Sequence, residues 1–163
     1  LQEYYKAHRH ESVEDRLDPA EISINTWLAP TLRLDLPPAL ATEVVGTLKP
    51  ILEEWSGISE LESTGISGIR TYLPGATIAE HVDMATTNVI SALINVDQNV
   101  SEPWPFEMKD HAGKIHSLHM KPGQVVVYES ATCAHQRSRP LPSGGHYTNL
   151  FMRFRPKGWT FSY

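Results

Sequence analysis

The stretch GIRTYLPGATIAEHVD, residues 68–83, decides the fold of this chain. Residues 69–73 alternate between two sets of side chains with the period of two that is typical of a β-strand. Pro74 and Gly75 interrupt this run, and residues 77–83 resume the extended pattern. The stretch therefore predicts two strands that are joined by a turn.

The second of these strands ends in His81 and Asp83, which are two residues apart. Residues i and i+2 lie on the same face of a strand, so the imidazole and the carboxylate point into the same space. Two histidines and one carboxylate on one side of an ion form a known Fe(II) site, and this pair supplies two of the three groups. The alternative is a histidine and an aspartate that share a hydrogen bond at the end of a strand.

The same period of two continues to the end of the chain. Turn residues separate nearly all the extended runs, and a series of short strands after helices predicts a mainly β fold with flanking helices. The expected architecture is a double-stranded β-helix, or jelly roll, with an N-terminal helical segment. The eight predicted strands are residues 66–73, 77–83, 88–96, 106–109, 115–120, 124–128, 132–137 and 147–155.

One domain, residues 1–163, is expected, with residues 65–156 as the jelly-roll core and residues 1–64 as helical support. Residues 1–36 predict only a short helix or a packed arm, with apolar residues at 22, 24, 27 and 28. Apolar residues at helical spacing then predict an amphipathic helix over 40–55, kinked or ended early by Pro50. The face expected to pack on the sheet comprises Leu48, Ile51, Leu52 and Trp55.

A complete Fe(II) site needs a second histidine from another strand. The candidates downstream are His111, His116, His119, His135 and His146. His135 is favoured because it lies in the seventh predicted strand, which the antiparallel winding of a jelly roll brings next to the second. His111 falls in a predicted turn, and His116 and His119 are three apart on one strand and so face opposite sides.

Composition excludes several classes of function. The net charge of −5 argues against a nucleic-acid surface, and the absence of a long apolar run argues against a membrane span. A single cysteine, Cys133, excludes an internal disulfide and favours a reducing, cytoplasmic setting. The chain starts at Leu1 rather than at a methionine, so a removed targeting segment stays open, as does the oligomeric state.

Several segments together resemble one enzyme family. They are the opening stretch, EPWP at 102–105, KPGQVVVYES at 121–130, HQRSRPLP at 135–142 and HYTNLFMRFRP at 146–156. In this combination the chain is similar to the prolyl 4-hydroxylase-like branch of the 2-oxoglutarate- and Fe(II)-dependent dioxygenases. The resemblance spans residues 65–156 and implies that His81, Asp83 and His135 bind Fe(II) and are the catalytic metal ligands.

The resemblance also implies a reaction. Fe(II), O2 and the cosubstrate 2-oxoglutarate would hydroxylate an unactivated C–H bond, most simply that of a prolyl residue in a peptide or protein. Oxidative decarboxylation would yield succinate and CO2, and ascorbate would support activity. Two alternatives stay open: a hydroxylase of a free amino acid or another small molecule on the same fold, and a non-catalytic jelly-roll binding module.

The residue that anchors the far carboxylate of 2-oxoglutarate departs from the family pattern. Many relatives have a lysine or arginine nine to eleven residues after the distal histidine, where this chain has Gly144, Gly145 and His146. Arg137, two residues after His135 and hence on its face of the strand, is the favoured anchor, with His146 as the second candidate. Tyr72 resembles the tyrosine that hydrogen-bonds the cosubstrate in the family.

Overall fold

The computed structural model describes residues 1–15 and 31–161, which form two antiparallel sheets with helices on one side. The apolar positions 22, 24, 27 and 28 lie outside the described residues. The helices are α1 (Gln2–His8), a short 3-10 helix (Arg9–Glu11) and α2 (Pro38–Ser56). The strands are β1 (Val13–Glu14), β2 (Thr31–Leu34), β3 (Leu61–Tyr72), β4 (Ile78–His81), β5 (Ile90–Asn99), β6 (Phe106–Lys109), β7 (Ile115–Leu118), β8 (Val125–Tyr128), β9 (His135–Arg137) and β10 (His146–Pro156).

The large sheet has the strand order β1-β2-β3-β10-β5-β8, and the small sheet has the order β4-β9-β6-β7. Neighbours in both sheets pair antiparallel. This arrangement confirms the predicted mainly β, jelly-roll fold, and β3 to β10 correspond to the eight predicted strands. The sequence did not predict β1 and β2. The residues before position 65 therefore contribute strands to the large sheet in addition to the predicted helices.

Helix α2 begins with Pro38 in its first turn and ends before Gly57, which adopts the left-handed conformation (φ 69°) that glycine tolerates best. Pro50 lies inside the helix and does not end it early. Leu52 is fully buried, but Ile51 and Trp55 are 51% and 50% exposed, so the predicted packing face is wrong at these two positions. Within the described residues, no helix has both the length and the apolar run needed to cross a bilayer.

The two faces of the large sheet have different roles. Along β10, Leu150, Met152 and Phe154 pack in the main core with the helices. Tyr147, on the alternate face, contacts the guanidinium of Arg137 from β9 in the small sheet. The space between the two sheets is therefore lined by β10, β5 and β3 on one side and by β9 and β6 on the other.

Candidate metal centre

Three side chains meet where β4 and β9 pair. His81 and His135 are direct partners in this antiparallel pair, and their ring centroids are 4.3 Å apart. Asp83 follows β4 by two residues, and its backbone N–H donates to the carbonyl of Ser130 at 2.8 Å. The second and seventh predicted strands, β4 and β9, are thus neighbours as expected. The two histidines lie side by side, with the carboxylate next to them.

The separations suit one shared ion. Asp83 Oδ1 lies 3.7 Å from His81 Nε2 and 3.8 Å from His135 Nε2. The ligating atoms of all three residues lie within 4.8 Å of one another. Two atoms that bind one ion at about 2 Å can be at most about 4 Å apart, and both measured separations meet that limit.

Both imidazoles are oriented by backbone carbonyls. His81 Nδ1 donates to the carbonyl of Ala79 at 2.8 Å, and His135 Nδ1 donates to that of Cys133 at 3.0 Å. A proton fixed at Nδ1 leaves the lone pair at Nε2, the atom that faces Asp83 in each ring. The two rings are therefore held in the form that binds a metal.

The carboxylate of Asp83 has its own supports. Its Oδ2 accepts a hydrogen bond from Ser91 Oγ at 3.2 Å. Ser91 Oγ also lies 2.7 Å from Ser130 Oγ, which in turn lies 2.8 Å from the carbonyl oxygen of Asn88. Ser91 and Ser130 are fully buried, so these hydroxyls hold Oδ2 on one side and leave Oδ1 facing the imidazoles.

Burial controls the charges at this site. His135 is only 4% exposed, and burial, followed by the neighbouring imidazole of His81, lowers its pKa and favours the neutral ring. Burial together with the charge of Asp83 raises the pKa of Tyr128 well above its ordinary value. The rings of Tyr128 and Phe106 lie 4.9 and 5.6 Å from that of His135 and exclude water from its inner side.

Arg137 lies two residues beyond His135 in β9 and is 1% exposed. Its Nη1 donates to the carbonyl of Trp104, and its guanidinium lies 4.3 Å from the ring centroids of Trp104 and Tyr147. Nε and Nη2 are buried with no hydrogen-bond partner among residues 1–15 and 31–161. Burial lowers the pKa of this guanidinium, and its Nε and Nη2 atoms still have N–H groups to offer a ligand.

The other two residues predicted for the cosubstrate have different surroundings. Tyr72 is buried beside Trp104, with ring centroids 5.2 Å apart, and packs in the same cluster as Tyr147. His146 Nε2 lies 3.0 Å from Asp97 Oδ2. In β10, His146 alternates onto the face of Thr148, whose hydroxyl contacts Tyr5 of α1 at 3.2 Å. Tyr72 and Arg137 are thus in one cluster, and His146 is not part of it.

A second group of potential ligands, which sequence reasoning missed, lies at the surface. His111 Nε2 is 2.9 Å from Glu129 Oε2 and 4.0 Å from Cys133 Sγ. Alternation along the predicted strand 132–137 would put Cys133 on the same face as His135. In the structure β9 begins only at His135, so alternation does not extend back to Cys133, and its sulfur contacts His111 instead.

Comparison with solved structures gives the class of fold. The chain has the fold of the prolyl hydroxylases and of the 2OG-Fe(II) oxygenase family, as the resemblance in sequence implied. It is similar to a Pseudomonas putida prolyl-4-hydroxylase, with 19% identity and a TM-score of 0.64, over 94% of this chain and 82% of that one. No protein-family model and no curated protein matches the sequence.

Two further solved structures have the same fold. An oxidoreductase of the 2OG-Fe(II) oxygenase family from Burkholderia pseudomallei has 16% identity and a TM-score of 0.68, over 95% of this chain and 77% of that one. A Trichoplax adhaerens prolyl hydroxylase, solved with a peptide fragment of the hypoxia inducible factor oxygen degradation domain, has 10% identity and a TM-score of 0.63. The match covers 96% of this chain and 76% of that one.

Proposed function

We propose that this protein is a 2-oxoglutarate- and Fe(II)-dependent oxygenase that hydroxylates an unactivated C–H bond. The observation that supports this most is the convergence of His81, Asp83 and His135 within a fold that solved oxygenases share. A fold can host many functions, and the residues at the site determine which one a protein has. At this site the ligand atoms of two imidazoles and a carboxylate lie within 4.8 Å of one another.

The donor set fits Fe(II). Two neutral imidazoles and one carboxylate on one side of an ion leave its remaining positions open for small molecules. His81, Asp83 and His135 would hold the ion, while Ser91 orients the carboxylate from behind. When bound, Fe(II) with 2-oxoglutarate and O2 supplies the oxidising chemistry, in which 2-oxoglutarate is decarboxylated to succinate and CO2. Ascorbate, as a reductant, is expected to support repeated turnover.

Arg137 is the proposed anchor for the far carboxylate of 2-oxoglutarate. Its Nε and Nη2 are buried and have no hydrogen-bond partner in the described part of the chain, and a buried donor without a partner costs about 1–3 kcal/mol. A guanidinium can present two parallel N–H groups to a carboxylate, so the cosubstrate would satisfy both atoms. Tyr72, in the same cluster, is the proposed hydroxyl partner. Since His146 already contacts Asp97, it is the weaker candidate.

The proposed substrate is a prolyl residue in a peptide or protein. The similar Trichoplax adhaerens enzyme is a prolyl hydroxylase that was solved with a peptide fragment, which supports a peptide substrate for the same fold. In this proposal the aromatic rings of Tyr128 and Phe106 keep water away from the inner side of His135, one of the residues that would hold the metal.

A turnover assay tests the proposal. The purified protein is incubated with Fe(II), ascorbate, 2-oxoglutarate and a panel of proline-containing peptides, and succinate and peptide mass are followed. We expect succinate and a mass gain of one oxygen atom on a prolyl peptide, both lost in Asp83→Ala. Succinate without a modified peptide would retain the oxygenase and reject the prolyl substrate. No succinate from a protein that binds both Fe(II) and 2-oxoglutarate would contradict the oxygenase.

A further inference from the structure

A polar cavity of about 420 Å³ lies at the β2–β3 end of the large sheet, away from the candidate metal centre. Its polar lining includes three arginines and two aspartates: Arg33, Arg70, Arg153, Asp15 and Asp35. Because three guanidinium groups face two carboxylates, this lining has an excess of one positive charge. The chain as a whole has a net charge of −5, so the excess is a local feature.

Two of the three arginines pair with the two aspartates. Asp15, whose side chain is 2% exposed, accepts from Arg70 Nε at 2.5 Å, and its other oxygen lies 3.6 Å from Arg33 Nη1. Arg33 Nε also donates to Asp35 at 3.0 Å. These ion pairs hold Arg33 and Arg70 in place at the cavity. Arg153 is the arginine of the lining that has no carboxylate partner among residues 1–15 and 31–161.

Arg153 extends from β10 across the neighbouring strand β3. It is paired in register with Gly65, and a Cβ atom at Gly65 would lie 2.7 Å from Arg153 Nη2. The missing side chain at Gly65 therefore makes room for the guanidinium. Arg153 Nε is buried and has no hydrogen-bond partner among the described residues.

The position of Arg153 links the cavity to the proposed metal centre. On its other side Arg153 is paired in register with Ser91 of β5, the residue that donates to Asp83. Side chains of directly opposed residues lie on one face of a sheet, with Cβ atoms about 4.5–5.5 Å apart. The backbone of Arg153 is thus one strand from the residue that supports the metal-binding carboxylate, while its guanidinium, over Gly65, is two strands, about 10 Å, from that residue.

We infer that this cavity binds a carboxylate of the substrate through Arg153. The inference rests on the proposed function and adds a substrate class: a molecule with one carboxylate within about 10 Å of the carbon to be hydroxylated. A single excess positive charge suits a monoanion. The carboxylate can come from an acidic residue next to a prolyl residue in a peptide, or from the α-carboxylate of a free amino acid. Arg137, enclosed by Trp104 and Tyr147, remains the anchor for the cosubstrate.

Binding of matched probes to the protein loaded with Mn(II) and 2-oxoglutarate tests this inference without turnover. One pair is a proline-containing peptide with glutamate beside the proline, and the same peptide with glutamine. The other pair is L-proline and L-prolinamide. By calorimetry we expect the anionic member of at least one pair to bind about 10- to 100-fold more tightly, as charge-assisted hydrogen bonds would give. The pair that shows the difference identifies the source of the carboxylate.

Two variants connect this preference to Arg153. Arg153→Gln is expected to abolish the preference while the dissociation constant of 2-oxoglutarate stays the same. Gly65→Ala keeps the charge but displaces the guanidinium, so it is expected to reduce the preference; Gly46→Ala, where a Cβ meets nothing within 4 Å, is the matched control.

Equal binding within both pairs, or no binding by any probe, would overturn the inference. Weaker 2-oxoglutarate binding in Arg153→Gln would overturn it as well, by making Arg153 the cosubstrate anchor. The proposed function has a separate readout, because it fails if wild-type protein binds neither Mn(II) nor 2-oxoglutarate. A persistent preference for the anionic probe would then show that the carboxylate site exists without an oxygenase.

Discussion

Arg137→Met should separate the cost of burying this arginine from its value for binding. Methionine is also long and flexible, but it removes the N–H groups of Nε and Nη2 that have no partner among the described residues. Removing two unsatisfied donors relieves about 1–3 kcal/mol each. The loss of the contacts with two aromatic rings and of the bond to the Trp104 carbonyl costs a similar amount. The free energy of unfolding without ligands should therefore change by less than about 2 kcal/mol.

Cosubstrate affinity should change far more. Two charge-assisted hydrogen bonds of about 1.5–3 kcal/mol each correspond to a loss on the order of 10²- to 10⁴-fold for 2-oxoglutarate. Urea unfolding of the metal-free protein and calorimetry of 2-oxoglutarate on the Mn(II)-loaded protein measure the two quantities. Arg139→Met, at an exposed arginine two residues on, is the matched control and should change neither.

Two results would refute this reasoning. If Arg137→Met keeps its 2-oxoglutarate affinity and His146→Gln loses it, the anchor is His146. If Arg137→Met unfolds at a much lower urea concentration, the guanidinium is a structural group whose burial is already compensated.

Three further predictions concern the core, the carboxylate support and the effect of pH. Leu52→Ala should cost about 2–5 kcal/mol of unfolding free energy, whereas Ile51→Ala, at an exposed position, should stay within about 0.5 kcal/mol; urea unfolding measures both. Ser91→Ala should weaken Mn(II) binding by about 10- to 100-fold, measured by metal titration, because Asp83 loses its orienting hydroxyl. Burial lowers the pKa of His135 in the folded protein, so between that lowered pKa and the ordinary value of about 6.5 the unfolded chain binds more protons than the folded one. The metal-free protein should therefore lose unfolding free energy as the pH falls through this range. The loss should be smaller in His135→Gln.

Each of these predictions has a contrary result. Equal losses for Leu52→Ala and Ile51→Ala would restore the packing face that the sequence suggested. Unchanged Mn(II) affinity in Ser91→Ala would show that the neighbouring backbone alone positions Asp83. An identical fall in stability with decreasing pH in wild type and His135→Gln would assign that titration to another group.

The sequence predicted the elements that depend on local patterns. Turn residues mark the ends of most strands of the jelly roll. The alternation of side chains placed His81 and Asp83 on one face, and the predicted pairing of their strand with the strand of His135 brought the three residues together. Strand β2 escaped prediction because it is short, lies between prolines, and is stabilised by pairing with β3, a contact that no local pattern records.

Other features depend on how elements pack, which periodicity does not specify. In α2, Val44, Leu48 and Leu52 recur every four residues and form the stripe that contacts the core. Ile51 lies about 60° around the helix from the middle of that stripe, and Trp55 lies within about 20° of the middle but in the last turn of the helix. Helical spacing therefore includes both residues, although the core does not cover them. The position of Arg153 over a glycine on the next strand is a contact of the same kind.

The most direct test of the central claim is a count of metal ions bound by wild type and two variants. Equilibrium dialysis against Mn(II) in the presence of 2-oxoglutarate should give one ion per chain for wild type. Asp83→Ala should lose it, and His111→Ala, which removes a ligand from the surface group with Glu129 and Cys133, should retain it. An ion that persists in Asp83→Ala and disappears in His111→Ala would contradict the account, because the metal would then be bound at the surface group.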